Sequence, residues 1–162
     1  MKRILSALLC LAVLLSAAAA PAEEPEGNGF QWGAYELKAT WVTTDNAKIH
    51  LVNMREDGLF VMVRLAGVGT PVYADDVKAI QEGEFVLVDA AGKEYGISTW
   101  IMRKLIQPEG GGFPTMAEEQ EFFDILFFLE GKTEGAEAGA RLRVGDEMID
   151  LDGIPRELPA EE

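Results

Sequence analysis

Residues 35–43 have the sequence YELKATWVT, in which apolar and polar side chains alternate. Tyr35, Leu37 and Trp41 fall on one side of the alternation, while Glu36 and Lys38 fall on the other. A period of two is typical of a β-strand that has one face in a core and the other in water. The segment therefore predicts a half-buried strand and makes a β-structure the starting hypothesis for the fold.

Short β-rich segments follow along the rest of the chain, separated by turn-forming residues. The most apolar of them, residues 121–129, is interrupted only by Asp124 and predicts the most buried strand. About seven to nine such strands with little helical periodicity predict an all-β, immunoglobulin-like antiparallel sandwich. We expect it to span residues 34–153, with further strands at residues 48–54, 59–66, 84–88, 93–102, 141–144 and 147–151.

At most one or two short helical turns are expected. Thr115 and Glu118 have the spacing of a capping box, which predicts a short helix to about Gln120. Residues 67–83 admit two interpretations. Residues 77–80 form a short strand, or Asp75 caps a helical turn that ends near Gly83.

The chain begins with a basic pair, an apolar run and small residues ending at Ala22. This three-part pattern predicts a secretory signal peptide over residues 1–22, cleaved after Ala22, and hence a secreted protein with no stable membrane insertion. The apolar run is shorter than the roughly 20 residues of a spanning helix. Cleavage would also remove Cys10, the single cysteine, which excludes disulfides, thiol catalysis and cysteine-bound metals.

The two ends of the remaining chain have the composition of unstructured segments. We expect a flexible tether at residues 23–33 and a frayed acidic tail at residues 154–162. The net charge is −14, and it becomes −16 once residues 1–22, with two basic and no acidic residues, are removed. Nucleic acid is disfavoured as a partner because no cluster of Lys and Arg is visible in the sequence.

One motif carries a family resemblance. Phe85-x-Leu87-x-Asp89-x-x-Gly92-x-x-Tyr95, preceded by the strand at residues 59–65 and followed by residues 125–128, resembles the bacterial telokin-like, immunoglobulin-like extracytoplasmic domains of unknown function, a group that includes small secreted antigens. The similarity covers roughly residues 35–151. It implies a sandwich fold and an extracytoplasmic location, and it carries no catalytic residues. Unlike many such proteins, this chain has no lipoprotein cysteine in the right place, since Cys10 lies inside the apolar run, and this argues against membrane attachment.

Catalytic, metal and cofactor chemistry find little support, and we assign no residue to any of them. His50 is the only histidine and has no Gly-x-Ser-x-Gly turn beside it, so we expect a strand-surface residue. Asp146, Asp150 and Asp152 are clustered, but their spacing does not match an EF-hand loop, and solvated turn carboxylates are the expectation. The three tryptophans, Trp32, Trp41 and Trp100, admit two interpretations: a platform that stacks on a sugar, or packing in the core or at its edge.

Two features are candidates for recognition. The first is the loop formed by Gly110, Gly111, Gly112 and Phe113, which would hold an aromatic ring on a mobile hinge, unless it is a plain connector. The second is the face formed by Phe122, Leu126 and Phe128, which is a partner or dimer surface if nothing covers it and part of the core if an adjacent loop or helix does.

The sequence therefore favours a secreted, non-enzymatic module that binds an unknown protein or cell-surface partner, with the monomer as the favoured state. The alternative is a carbohydrate-binding or hydrolytic domain that uses Trp100 and nearby carboxylates.

Overall fold

A computed structural model of the chain describes residues 29–49 and 56–158. Strands dominate these residues, and helix is limited to two short segments, α1 at Asn46–Ile49 and α2 at Ala74–Lys78. The strands are β1 Gly29–Trp32, β2 Tyr35–Thr43, β3 Gly58–Gly67, β4 Val72–Tyr73, β5 Phe85–Val88, β6 Glu94–Met102, β7 Leu105–Ile106, β8 Thr115–Met116, β9 Glu119–Gln120, β10 Phe122–Glu130, β11 Arg141–Val144 and β12 Glu147–Asp150.

Eight of the strands form one antiparallel sheet in the order β1-β2-β3-β10-β6-β5-β11-β12. Within it, β5, β6 and β10 are neighbours, β10 returns to lie beside the earlier strand β3, and β11 returns to lie beside β5. These are Greek-key connections, the kind that β-sandwiches use. The predicted all-β class is confirmed, and the two short helices match the predicted number. The twelve strands exceed the predicted seven to nine, because four strands of two residues each form two separate small sheets.

The sheet folds over on itself at β6. The first half of β6 pairs with β5, where Val86 is opposite Gly96, and the second half pairs with β10, where Ile97 is opposite Phe127. The two edges of the sheet then come together, because the backbone N–H of Gln31 on β1 donates to Oε1 of Glu147 on β12 at 3.3 Å. The result is a sandwich that is nearly closed into a barrel around its main core.

The main core forms where alternate residues of each strand point inward. Leu37, Val63, Leu87 and Phe127 are fully buried in it. Aromatic rings contact one another within this core, since Phe30 of β1 lies edge-to-face with Phe85 of β5 at a centroid distance of 6.4 Å. The buried side chains of facing strands thus hold the two layers together without any covalent bridge in the described part of the chain.

A β-bulge in β2 changes which face its residues occupy. The register against β3 shifts between Ala39 and Trp41, so that Val42, and not Trp41, follows Leu37 and Ala39 into the main core. Trp41 is buried as predicted, but on the opposite face, where it joins Ile49, Met62 and Leu126 in a second apolar cluster. One inserted residue is enough to reverse the alternation, because side chains change face at every position of a strand.

The second cluster covers the outer face of β10. Leu126 is fully buried there, and Ile49, carried by α1, packs into the same cluster. The predicted partner surface formed by Phe122, Leu126 and Phe128 is therefore wrong for Leu126. Phe122 and Phe128 are half-buried at its margins. The face is covered, as in the alternative, but by Trp41 on β2 and Ile49 on α1 and not by the adjacent loop and helix that were expected to cover it.

Both predicted flexible ends contain residues that belong to the fold. Residues 29–32, assigned to the tether, form β1 and bury Phe30 in the core. At the other end, Ile154 is buried, and the carbonyl of Pro155 accepts a hydrogen bond from the backbone N–H of Val42 at 3.0 Å. The tether and tail predictions are wrong for these residues, and residues 23–28 and 159–162 lie outside the described part of the chain.

Three local predictions also need correction. Lys48 and Ile49 lie in α1 and not in a strand, and the rest of that predicted strand is outside the described residues. Thr115 and Gln120 lie in the short strands β8 and β9 and not in a capped helix, because this segment pairs with β7 and β4. In residues 67–83 the helical interpretation is the one found, and no strand forms at residues 77–80. However, α2 begins after Tyr73 with no side-chain cap and ends at Lys78, so Asp75 lies in its first turn and does not cap it.

Candidate functional site

The strands β7 and β8 form a two-stranded hairpin that is separate from the main sheet. Leu105 is opposite Met116 and Ile106 is opposite Thr115 in its antiparallel register. Leu105 and Ile106 are 55% and 53% exposed, although both are large apolar side chains. We call the hairpin with its connecting loop, residues 105–116, the arm.

The loop at the tip of the arm contains the predicted recognition residues Gly110, Gly111, Gly112 and Phe113. The three glycines have φ values of 95°, 91° and 134°, which side chains with a Cβ rarely adopt, so the backbone can reverse here. Gln107 closes the loop, since its Nε2 donates to the carbonyl of Gly112 at 3.1 Å. The ring of Phe113 is 93% exposed at this tip.

Gln120 fixes the base of the arm, and sequence reasoning missed this residue. Its buried side chain accepts a hydrogen bond from the backbone N–H of Lys104 at 3.1 Å and donates to the carbonyls of Lys104 at 3.1 Å and Ala117 at 2.8 Å. The carbonyl of Lys104 also accepts a hydrogen bond from the backbone N–H of Ala117 at 3.0 Å. The two ends of the arm are therefore clamped together where it leaves the sandwich.

A buried carboxylate lies close to this base. Asp124, on the central strand β10, is fully buried and is bound by two arginines. Arg64 donates from Nε to Oδ1 at 2.8 Å and from Nη2 to Oδ2 at 3.2 Å, while Arg103 donates from Nε to Oδ2 at 2.7 Å. One carboxylate between two guanidinium groups leaves a net positive charge at this point.

The guanidinium of Arg64 is also held by two aromatic rings. Its central carbon lies 3.9 Å from the ring centroid of Phe122 and 5.0 Å from that of Trp41. Cation–π contacts of this kind are favourable and fix the plane of the guanidinium. The Trp41 ring is itself held, because its Nε1 donates to the carbonyl of Arg156 at 3.1 Å.

An open cleft of about 530 Å³ on the surface of the sandwich is lined by the side chains of Trp41, Arg64 and Arg103, among others. Four cations border it, Lys48, Arg64, Arg103 and Lys104, together with Glu121 and the apolar side chains Trp41, Phe122 and Leu158. Lys104 pairs with Glu121 at 3.3 Å, and both side chains are more than half exposed. In a chain of net charge −14, this cationic cleft is an electrostatic exception.

A second polar centre, at the β5–β6 turn, has a structural explanation. The carboxylate of buried Asp89 accepts hydrogen bonds from the backbone N–H groups of Ala91 and Lys93, both at 2.9 Å, and from the Tyr95 hydroxyl at 3.1 Å. The Lys93 N–H, with the ammonium of Lys132, holds the pKa of Asp89 below its ordinary value. Burial raises the pKa of Tyr95. The motif residues Asp89 and Tyr95 thus hold the tight turn together.

The other sequence candidates are dispersed. Trp41 is buried, and Trp32 and Trp100 are half-buried against the main core. Asp152 accepts a hydrogen bond from the backbone N–H of Gly139 at 2.9 Å, and Asp150 accepts one from the N–H of Asp152, also at 2.9 Å. Residues 29–49 and 56–158 contain no group of three or more side chains placed to hold a metal ion. His50 lies outside the described residues.

The fold and these surfaces define an all-β antiparallel domain that carries an exposed apolar arm and, at the arm's base, a cationic cleft. No protein-family model, curated protein or solved structure matches the chain. No helix among the described residues is long and apolar enough to cross a membrane.

Proposed function

We propose that the chain is an extracytoplasmic, non-enzymatic binding module that contacts a protein partner through the arm. The single observation that carries this proposal is the exposure of Phe113, a large aromatic ring at the tip of a hairpin whose base is clamped by Gln120. Aromatic side chains dominate the energetics of protein interfaces, and burying one ring contributes about 1.5–3 kcal/mol.

The arm has the composition of an interface centre. Leu105, Ile106 and Met116 are also exposed on the arm, and Pro108 and Pro114 restrict the backbone of the loop. Soluble proteins rarely leave several large apolar side chains grouped on one projecting element unless a partner covers them. The hydrogen bonds of Gln120 hold both ends of the arm, and this limits the conformational entropy that the arm loses on binding.

The extracytoplasmic location rests on the signal-like pattern of residues 1–22. A protein partner is favoured over an anionic membrane surface, because a chain of net charge −14 is repelled by such a surface. The carbohydrate-binding alternative needs a row of exposed aromatic rings on a concave face. Phe113 projects on the arm instead, and Trp41 is buried.

Pull-down from the secreted fraction of the producing cells tests the proposal. The bait proteins are the unaltered chain, Phe113→Ser, and Tyr73→Ser as the matched control, since Tyr73 is also an exposed aromatic residue but belongs to β4 and not to the arm. We expect a partner that is captured by the unaltered chain and by Tyr73→Ser and is lost with Phe113→Ser. Equal capture by all three baits would overturn the role of the arm. Glycan binding that Phe113→Ser retains and Trp100→Ala loses would favour the carbohydrate alternative.

A further inference from the structure

We propose that the cationic cleft binds a carboxylate whose neighbouring group is apolar, with Arg64, Arg103 and Lys104 as the residues that hold it. The two guanidinium groups are already oriented by Asp124, which binds Nε of each. Arginine recognises carboxylates through a planar fork of N–H groups, so a fixed guanidinium plane favours binding.

Stability alone does not account for the arrangement. A buried ion pair or triad is often no more stabilising than apolar side chains of similar volume. Asp124 lies on the central strand, between Phe123 and Ile125, and both of these neighbours are fully buried in the main core. A carboxylate at this position is costly unless it is fully paired. The pairing has the effect of holding two cations rigidly at the border of an open cleft.

The charge balance of the cleft favours an anion. Four basic side chains border the cleft. Three carboxylates pair with them: Asp124 with the arginines, Glu121 with Lys104, and Asp45 with Lys48 at the longer distance of 3.9 Å. One positive charge is therefore in excess, which suits a monoanion. Within the described residues, the hydrogen bonds of the two guanidinium groups involve Nε and Nη2, so that Nη1 of each can donate to a ligand.

The apolar part of the lining defines the rest of the ligand. Phe122 is half-buried, and Leu158 is exposed at the border of the same cleft. A volume of about 530 Å³ lies within the range of small-molecule sites. A free apolar carboxylic acid and the C-terminal residue of a polypeptide both present this chemistry, a carboxylate beside an apolar group.

Isothermal titration of the full chain with defined probes tests the proposal and separates the two sources. The probes are hexanoate for the free acid, N-acetyl-leucine for a polypeptide terminus, N-acetyl-leucinamide as the neutral analogue, and inorganic phosphate. We expect saturable binding of at least one carboxylate at millimolar concentration, and the tighter of the two identifies the source. The amide should bind at least about tenfold more weakly, because it cannot form charged hydrogen bonds.

The decisive variant is Arg103→Gln, and Arg143→Gln is its matched control. The two arginine side chains are similarly exposed, 31% and 35%, and each pairs with one carboxylate, but Arg143 lies on β11 away from the cleft. We expect the dissociation constant of the tighter carboxylate to rise at least about tenfold in Arg103→Gln and to stay within about twofold in Arg143→Gln. If Arg103→Gln loses its fold by circular dichroism, Lys104→Gln replaces it, because the Lys104 side chain is more than half exposed.

Three results would overturn the proposal. They are equal binding of the acid and its amide, unchanged affinity in the folded cleft variant, and tighter binding of phosphate than of either carboxylate. Absence of saturable binding by any probe at millimolar concentration would overturn it as well. The cleft proposal is independent of the arm, so Phe113→Ser should bind the carboxylate as the unaltered chain does.

Discussion

The Nε atom of Arg64 lies 2.8 Å from Oδ1 of Asp124, and the two residues are direct partners in the antiparallel register of β3 and β10. On the other side of β10, the register places Ile101 opposite Asp124, and Arg103, two residues further along, reaches back to the same carboxylate. A single acidic residue on the central strand thus pairs with two arginines, Arg64 on the β3 side and Arg103 on the β6 side. The cationic cleft beside it depends on this relationship.

Asp124→Asn should destabilise the fold by about 3 kcal/mol, because it leaves two arginines facing a neutral amide in a partly buried site. Glu121→Gln is the control, since it removes the exposed pair with Lys104 and should cost less than about 1 kcal/mol. Urea denaturation at neutral pH measures both changes. Equal losses in the two variants would contradict the central role of Asp124.

Phe113→Ser should leave the free energy of unfolding within about 0.5 kcal/mol of the unaltered chain, since the ring is almost completely exposed. Phe123→Ala, which removes a fully buried ring from the main core, should cost about 4 kcal/mol. Thermal and urea denaturation check both values. A large loss of stability in Phe113→Ser would show that the ring serves the fold and not recognition.

Acid stability should depend on Asp89. The pKa of Asp89 in the folded chain lies below the ordinary value of 3.8. The contribution of its charge to the free energy of unfolding is therefore complete above that value, and it is lost as the pH falls through the folded pKa. Asp89→Asn keeps the acceptor oxygen for the Lys93 N–H but removes the charge that faces Lys132. The stability gap between the unaltered chain and Asp89→Asn should be constant above about pH 5 and shrink below pH 3.8. A gap that is the same at every pH would contradict the ionised state of Asp89.

Gly67→Ala should destabilise the fold by about 2 kcal/mol, because an added Cβ would fall on the backbone carbonyl of Thr70. Gly96→Ala is the control, since Gly96 also lies in a strand but has no atom within 4 Å of an added Cβ. Chemical denaturation of the two variants compares them directly. Equal stability of the two would contradict the close approach of backbone at the end of β3.

The strands could be predicted because their cause is local. Alternation in residues 35–43 and the apolar run of residues 121–129 each correspond to a long strand, β2 and β10. The turn at Asp89 was also predictable, since Asp and Gly at fixed spacing are what a tight turn requires. These patterns express the backbone preferences and burial of neighbouring residues, which a sequence displays directly.

The errors occur where distant parts of the chain decide the structure. Thr115 and Glu118 have a helix-cap spacing, yet pairing of residues 115–116 with β7 and of residues 119–120 with β4 gives short strands instead. The bulge at residues 39–41 is set by the register against β3, which no local pattern shows. Burial of Phe30 depends on the approach of β1 to Phe85, more than fifty residues away in the sequence.

Half of the candidate site was visible in the sequence. The glycines and Phe113 mark the tip of the arm through composition alone. The cationic cleft was not visible, because Arg64, Arg103 and Asp124 are far apart in sequence and meet only through the pairing of β3, β10 and β6. One signal was available: a single Asp inside the apolar run of residues 121–129 requires a buried cationic partner.

The most direct test of the cleft is the NMR signal of the arginine side-chain Nε–H groups during titration with the tighter-binding carboxylate. The account predicts that the Nε–H signals of Arg64 and Arg103 move together and saturate, while that of Arg143 stays in place, because only the first two are held by Asp124 at the border of the cleft. Signals of Arg64 and Arg103 that do not move, or that move only in parallel with Arg143, would contradict it.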